Sequence, residues 1–198
     1  MKLSIISGSH REQSYSMKAA AYLQTLADEQ GFEETEIMDL STLNLPLWNE
    51  GVWSGSDEWS GWRVLAEGLK TSDAVVLITP EWHGMATPAL KNFLLLCTSA
   101  ELGHKPVLLV SVSASVNGVY PISELRMTGS KNNHACFIPD HLIFRDCETL
   151  LAADQAVSDE RFDGRARYTI KSLAAYARAL SPVREELQQG MKDFPFGM

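Results

Sequence analysis

Short apolar runs alternate along this chain with longer stretches whose apolar residues recur at helical spacing. Such a pattern packs its runs side by side as a parallel sheet and lays the amphipathic stretches over both faces as crossover helices, a doubly wound α/β architecture. Leu3 to Ser7 reads as the opening strand, followed by a helix whose Ala19, Tyr22, Leu23 and Leu26 share one face and which stops at Gly31. Glu34 to Leu40 is predicted as a second strand, and Ser41 to Ser56, rich in Asn, Pro, Gly and Trp, as a long irregular loop.

A helix is predicted to begin near Ser56 or Asp57 and to bury Trp62, Leu65, Ala66 and Leu69. The following run, Asp73 to Thr79, is apolar enough for the centre of the sheet. Thr87-Pro88 then opens a helix with a hydroxyl cap and a proline at the first position, its Leu90, Phe93, Leu94 and Cys97 facing the core. Lys105 to Val112 is a fourth strand, and Ile122 to Thr128 a weak helix. A fifth strand is predicted in two pieces, Ala135 to Ile138 and Leu142 to Phe144, because Pro139-Asp140 interrupts it. The last helical region, Ser158 to Gln189, places Leu173, Tyr176, Ala177 and Leu180 on one face with Pro182 as a kink or break, and Asp193 to Met198 reads as a loosely ordered tail.

With 198 residues and no linker or repeat, the expectation is one domain over residues 1–198. The formal charge of −8 and the absence of any basic cluster argue against nucleic-acid binding, which needs grouped Lys and Arg. Met1 to Gly8 is too short an apolar run for a secretory leader, and no stretch reaches the roughly 18 apolar residues of a membrane span, so no membrane association is expected. Three cysteines without CxxC spacing suit a reducing cytoplasm, and the five histidines lie too far apart to suggest a metal site.

Ligands of open parallel sheets bind beyond the carboxyl ends of the strands, which directs attention to three loops. The first, Gly8-Ser9-His10-Arg11-Glu12-Gln13-Ser14-Tyr15-Ser16, leads into a helix start, where free N–H groups and the helix dipole favour an anion. Ser9, Ser14 and Ser16 offer hydroxyls, and Arg11 a charge-assisted hydrogen bond of roughly 1.5 to 3 kcal/mol. Ser14 equally suits a helix cap, and Arg11 a solvated surface. Neither GxxxxGK[ST] nor GxGxxG occurs, so one phosphate, rather than a triphosphate or a dinucleotide, is the first expectation. The second loop, Thr79-Pro80-Glu81-Trp82-His83-Gly84-Met85-Ala86-Thr87-Pro88, can present backbone amides to a flat heteroaromatic edge, although Trp82 also suits an apolar corner and His83 an exposed position. The third runs from Ser113 to Gly118.

Gly8-Ser9-x-Arg11-x-x-Ser14, taken with Thr79-Pro80-Glu81-Trp82-His83-Gly84 and Pro88-Ala89-Leu90-Lys91-Asn92, resembles the NADPH-dependent FMN reductase family of flavodoxin-like proteins. The similarity covers Met1 to about Phe144 and is thin beyond it. It implies a flavodoxin-like five-stranded parallel sheet in the order 2-1-3-4-5, with FMN as cofactor and NADPH or NADH as co-substrate. It further implies phosphate contacts from Ser9, Arg11, Ser14 and Ser16, flavin-ring contacts from Pro80, Glu81, Trp82, His83 and Gly84, and a third loop, with Ser113, Asn117 and Gly118, beside the ring. In this chain Ser16 stands where the family often has Asn, and Trp82-His83 where it commonly has Tyr-Asn.

The implied activity is a ping-pong transfer of hydride from NAD(P)H through FMN to a small acceptor such as a quinone, azo compound, metal oxyanion or free flavin, with no catalytic acid, base or nucleophile required of the protein. Trp82, Trp48 and Trp53 are candidates to shape the acceptor face, and the latter two equally suit a subunit contact. A homodimer or homotetramer is the expectation by resemblance. Two rivals stay open: an electron carrier of the same fold that does not oxidise NAD(P)H, and a flavin-free binding module.

Overall fold

Five strands, β1 (Lys2–Ser7), β2 (Glu34–Asp39), β3 (Ala74–Pro80), β4 (Pro106–Val112) and β5 (Cys136–Phe144), form one sheet in the order β2-β1-β3-β4-β5. Every neighbouring pair is parallel. The structure, a computed structural model, describes residues 1–196. The apolar run expected at the centre is indeed the middle strand, β3, and it is buried along all but its last residue.

One face of the sheet is covered by α1 (Tyr15–Glu29) and α8 (Glu160–Asp193), the other by α3 (Ser60–Lys70), α4 (Pro88–Leu96) and α6 (Val119–Thr128). Because β-strand side chains alternate, Leu3, Ile5, Val76 and Val110 feed the first core, and Ile6, Val75, Leu77 and Leu109 the second. Helical spacing had marked the right faces: Ala19, Tyr22, Leu23 and Leu26 of α1, and Trp62, Leu65, Ala66 and Leu69 of α3, are all buried. Thr87 caps α4 as its sequence suggests, accepting the Leu90 N–H at 3.3 Å, with Pro88 in the first turn. Leu90, Phe93 and Cys97 are buried there as expected, while Leu94 is only half-buried.

Five expectations are corrected. The 41–56 segment contains a short helix, α2 (Gly51–Ser54), and is pinned to α4 by Asn92, which accepts the Trp48 N–H and donates to the Pro46 carbonyl, both at 2.8 Å. A long-range side chain supplies the order that the local composition does not. The fifth strand is continuous: Val107 pairs with Phe137 and Leu109 with His141, so Ile138, Pro139 and Asp140 bulge opposite Leu108. An edge strand tolerates this because the N–H that proline lacks is not needed by a second neighbour, and a terminal nitrogen of Arg126 reaches all three bulge carbonyls at 2.9, 2.9 and 3.2 Å.

In the last helix Pro182 causes no break. It and Arg178, one turn earlier, both lie on the exposed side, where water can take the bond that proline cannot donate. Tyr176 is 39% exposed because the buried stripe runs through Ala166, Ile170, Leu173, Ala174 and Ala177 and passes it by. The helix also extends to Asp193, into the stretch expected to be loose, and the end of that stretch, Gly197 and Met198, lies outside the described residues. Two further short helices, α5 (Ser99–Leu102) and α7 (Cys147–Leu150), and a 3-10 turn at Asp57–Trp59 just ahead of α3 complete the elements. Among the described residues no helix is long and apolar enough to cross a membrane.

Candidate functional site

With this strand order the chain leaves β1 towards one edge and β3 towards the other, and a crevice opens between them at the carboxyl ends. The loops after β1 and β3 meet there at close quarters. The Gly8 N–H donates to the Ile78 carbonyl at 2.8 Å, and the Thr87 hydroxyl donates to the Gly8 carbonyl. A Cβ at residue 8 would stand 2.5 Å from the Ile78 oxygen, so glycine is required for this approach.

One half of the cleft, about 280 Å³, lies against the start of α1 and is lined by Ser9, Arg11, Ser14, Ser16, Pro80, Glu81 and Trp82. Ser14 is both cap and lining: its oxygen accepts the Met17 N–H at 3.2 Å, leaving the hydroxyl proton free to donate outward. Ser16 is 1% exposed and its hydroxyl has no partner. The buried Ser9 oxygen accepts the Arg11 N–H at 3.2 Å and so fixes the turn of the loop. The Arg11 side chain is exposed, and among the described residues no carboxylate lies within ion-pair distance of it. The amides of Tyr15 and Ser16 precede the first intrahelical bonds of α1 and carry the positive end of its dipole.

The other half, about 490 Å³, is lined by Glu81, His83, Gly84, Ser113, Asn117 and Tyr120, with Ala114 and Ser115. Trp82 and Met85 exchange backbone hydrogen bonds of 3.2 and 2.9 Å across His83 (φ +51°) and Gly84 (φ +75°), a two-residue turn with both central residues left-handed. Glu81 spends its carboxylate inside the molecule, accepting the Gly118 N–H at 2.5 Å. Gly118 sits at φ +103°, and a Cβ there would meet Ile143 at 2.3 Å. Arg145 donates to the carbonyls of Val116 and Asn117 at 2.6 and 3.0 Å, and Glu124 of α6 accepts the Ala86 N–H at 2.7 Å and a Lys91 proton at 2.9 Å. Burial pushes the Glu124 carboxyl up, but the Ala86 N–H and the Lys91 ammonium outweigh it and hold the group below its ordinary range.

Eleven of the twelve residues expected from sequence line one half or the other. The exception is Gly118, whose amide is given to Glu81. Trp82 lines the α1 half, with His10 edge-on to it at 4.6 Å between ring centroids. Trp48 and Trp53 line neither half. They pack against each other at 5.4 Å on the segment held by Asn92.

Sequence reasoning missed Cys147 and Glu148, which reach the α1 half from the start of α7, and Tyr120, which lines the other half and would stand 3.8 Å from a Cβ at Gly84. The signal for the first two was position alone, at the end of a strand adjoining the searched loops. Burial pushes the Cys147 thiol up, which marks it as a wall rather than a nucleophile. No group of three or more metal-ligating side chains occurs among the described residues.

Comparison with known proteins agrees with this geometry. The family model of NADPH-dependent FMN reductases matches residues 1–148. An NADPH azoreductase of Bacillus sp. (strain OY1-2) is 38% identical over 118 residues, which make up 60% of this chain and 62% of that enzyme. A quinone reductase of Pseudomonas putida is 30% identical over 145 residues, 73% of this chain and 70% of that one. Among solved structures, FerB, a flavoenzyme NAD(P)H:(acceptor) oxidoreductase from Paracoccus denitrificans, superposes with a TM-score of 0.73 at 23% identity, covering 90% of this chain and 98% of its own. A WrbA-like flavodoxin from Agrobacterium tumefaciens, at 14% identity and a TM-score of 0.59, shares the fold.

Proposed function

The chain belongs to the NADPH-dependent FMN reductase family, and we propose that it works as an FMN-dependent NAD(P)H oxidoreductase on small quinone or azo acceptors. The observation that carries this reading is the buried Ser16 hydroxyl, left without a partner in a cleft where Ser14, the α1 amides and the unpaired Arg11 converge. An orphaned buried hydroxyl costs free energy unless a ligand satisfies it. The donor set is the chemistry that holds a phosphoryl group.

Ser9, Arg11, Ser14 and Ser16 therefore hold the phosphate of FMN, and the backbone of Pro80 to Gly84 with Ser113 and Asn117 lines its ring. Bound FMN supplies the redox step, taking a hydride from the nicotinamide and giving two electrons to the acceptor. The protein contributes a prebuilt wall. Glu81 locks the third loop to the second, Glu124 locks the second loop to α4 and α6, and the left-handed turn at His83-Gly84 sets the rim. The acceptor class follows from the names of the azoreductase and quinone reductase relatives.

The working unit in this reading is one FMN-binding domain over residues 1–198, acting as a homodimer or homotetramer in the cytoplasm. Exposed Leu47 (77%) and Trp53 (70%) on a segment held rigid against α4 support self-association, and three unpaired cysteines suit a reducing compartment.

Purified protein incubated with FMN and separated from free flavin is expected to be yellow and to oxidise NADPH in the presence of menadione or an azo dye. A yellow protein inert to NADPH and NADH would assign it to electron carriage. A protein that retains no FMN would reduce it to a flavin-free module.

A further inference from the structure

Two-electron reduction of a quinone to a hydroquinone, or of an azo bond to a hydrazo bond, consumes one hydride and one proton. If the reading above holds, NAD(P)H supplies the hydride and the proton needs a source. Of the side chains lining the cleft, most are unsuited to that exchange near neutral pH. Arg11 carries a guanidinium and Tyr15 and Tyr120 carry phenols, types of group that are poor proton donors there, Cys147 is buried with its thiol pushed up, and Glu81 is an acceptor bound to the Gly118 N–H. Glu148, at the far wall beside α1, is an exposed carboxylate. His83 is the one histidine among the lining residues, and histidine is the side-chain type whose unperturbed charge change falls between about pH 5 and 8.

Its placement suits a donor. His83 stands at the first position of the left-handed turn (φ +51°), which the paired Trp82–Met85 backbone closes, and Tyr120 of α6 lines the same half of the cleft. The residue is exposed, so water can restore its proton between cycles. The titratable groups sharing its half of the cleft are Glu81 of its own loop and Tyr120 of α6, and the third-loop residues there, Ser113, Ala114, Ser115 and Asn117, are uncharged.

We infer that His83 is a catalytic residue that donates the proton completing acceptor reduction. The hydride turns the quinone into the hydroquinone monoanion. An N–H bond of the His83 imidazolium then breaks as the new O–H bond forms, and the neutral imidazole regains a proton from water. An azo nitrogen takes the proton in the same way.

The test is reoxidation of the NADPH-reduced holoprotein by menadione and by ferricyanide, an acceptor that takes electrons without a proton, for wild type and His83→Asn across pH values from about 5 to 9. Asparagine tolerates the left-handed backbone and keeps the turn. Wild-type reoxidation by menadione is expected to be slower at the alkaline end of that pH range than at the acid end. The variant is expected to lose roughly tenfold or more of its low-pH rate towards menadione beyond any loss towards ferricyanide, with a flattened menadione profile, as for loss of a general acid. Equal slowing with both acceptors would make His83 a mere shaper of the turn and overturn the inference. So would an unchanged menadione profile. Either of those results leaves FMN binding and NADPH oxidation standing, whereas a wild-type protein that does neither removes the reading on which the inference rests.

Discussion

In the half of the cleft beside α1, the Ser16 hydroxyl and the Arg11 guanidinium are left without partners among the described residues. In the half beside α6, the charged side chains are consumed in holding their own loops. Ser16 and Arg11 are unspent, whereas Glu81, Glu124 and Arg145 are each tied to backbone at 2.5 to 3.0 Å. The difference separates two ways of building a binding surface. The first half stores hydrogen-bonding capacity for a charged group. The second offers a shape already paid for in folding, suited to a flat and largely neutral ring.

That contrast can be broken most directly at Gly118. A methyl group there meets Ile143 at 2.3 Å in a backbone conformation side chains resist, so Gly118→Ala is expected to cost roughly 2 to 4 kcal/mol in urea unfolding. A cost well under 1 kcal/mol would mean that the α6 half is not the rigid wall described.

The α1 half should respond in the opposite sense, with binding lost and stability kept. Arg11→Ala is expected to weaken FMN binding roughly tenfold or more, and Ser16→Ala roughly two- to tenfold, with the urea midpoint unchanged in the first and slightly raised in the second because an unsatisfied hydroxyl is removed. Calorimetry set against unfolding curves separates the two effects, and a parallel loss of stability would erase the distinction.

The smallest effect concerns pH. The folded state holds the Glu124 carboxyl below its ordinary value of 4.5, so it favours the ionised form and gains stability above that value. The gain is lost as pH falls through the depressed value. The difference in urea midpoint between wild type and Glu124→Gln should accordingly be full at neutral pH and shrink in acid. A difference that does not vary with pH would show that the carboxylate is not bracing the loop by charge.

What could be read from sequence was whatever leaves a periodic or local mark. The faces of α1 and α3, the cap at Thr87 and the central place of β3 follow from side-chain spacing, and the first loop follows from hydroxyls and an arginine at a helix start. Partnerships across the chain leave no such mark. Glu81 meets Gly118 thirty-seven positions away, and Ala86 meets Glu124 across thirty-eight. Glu81 was expected beside the flavin ring, and nothing in its local sequence marks that its carboxylate is bound to the protein. The bulge at Pro139 was missed for the same reason, since a lone proline reads as an interruption until Arg126 is known to gather the carbonyls around it.

Arg126 has a consequence beyond that strand. β5 is an outer strand, and an open row of backbone groups on such a strand is a template on which another chain can add itself, the usual first step towards insoluble fibres. Here the middle of the row offers one amide fewer than normal and three carbonyls already engaged by a guanidinium of the same molecule. A protein crowded at high concentration would find little purchase on this border for growing its sheet sideways.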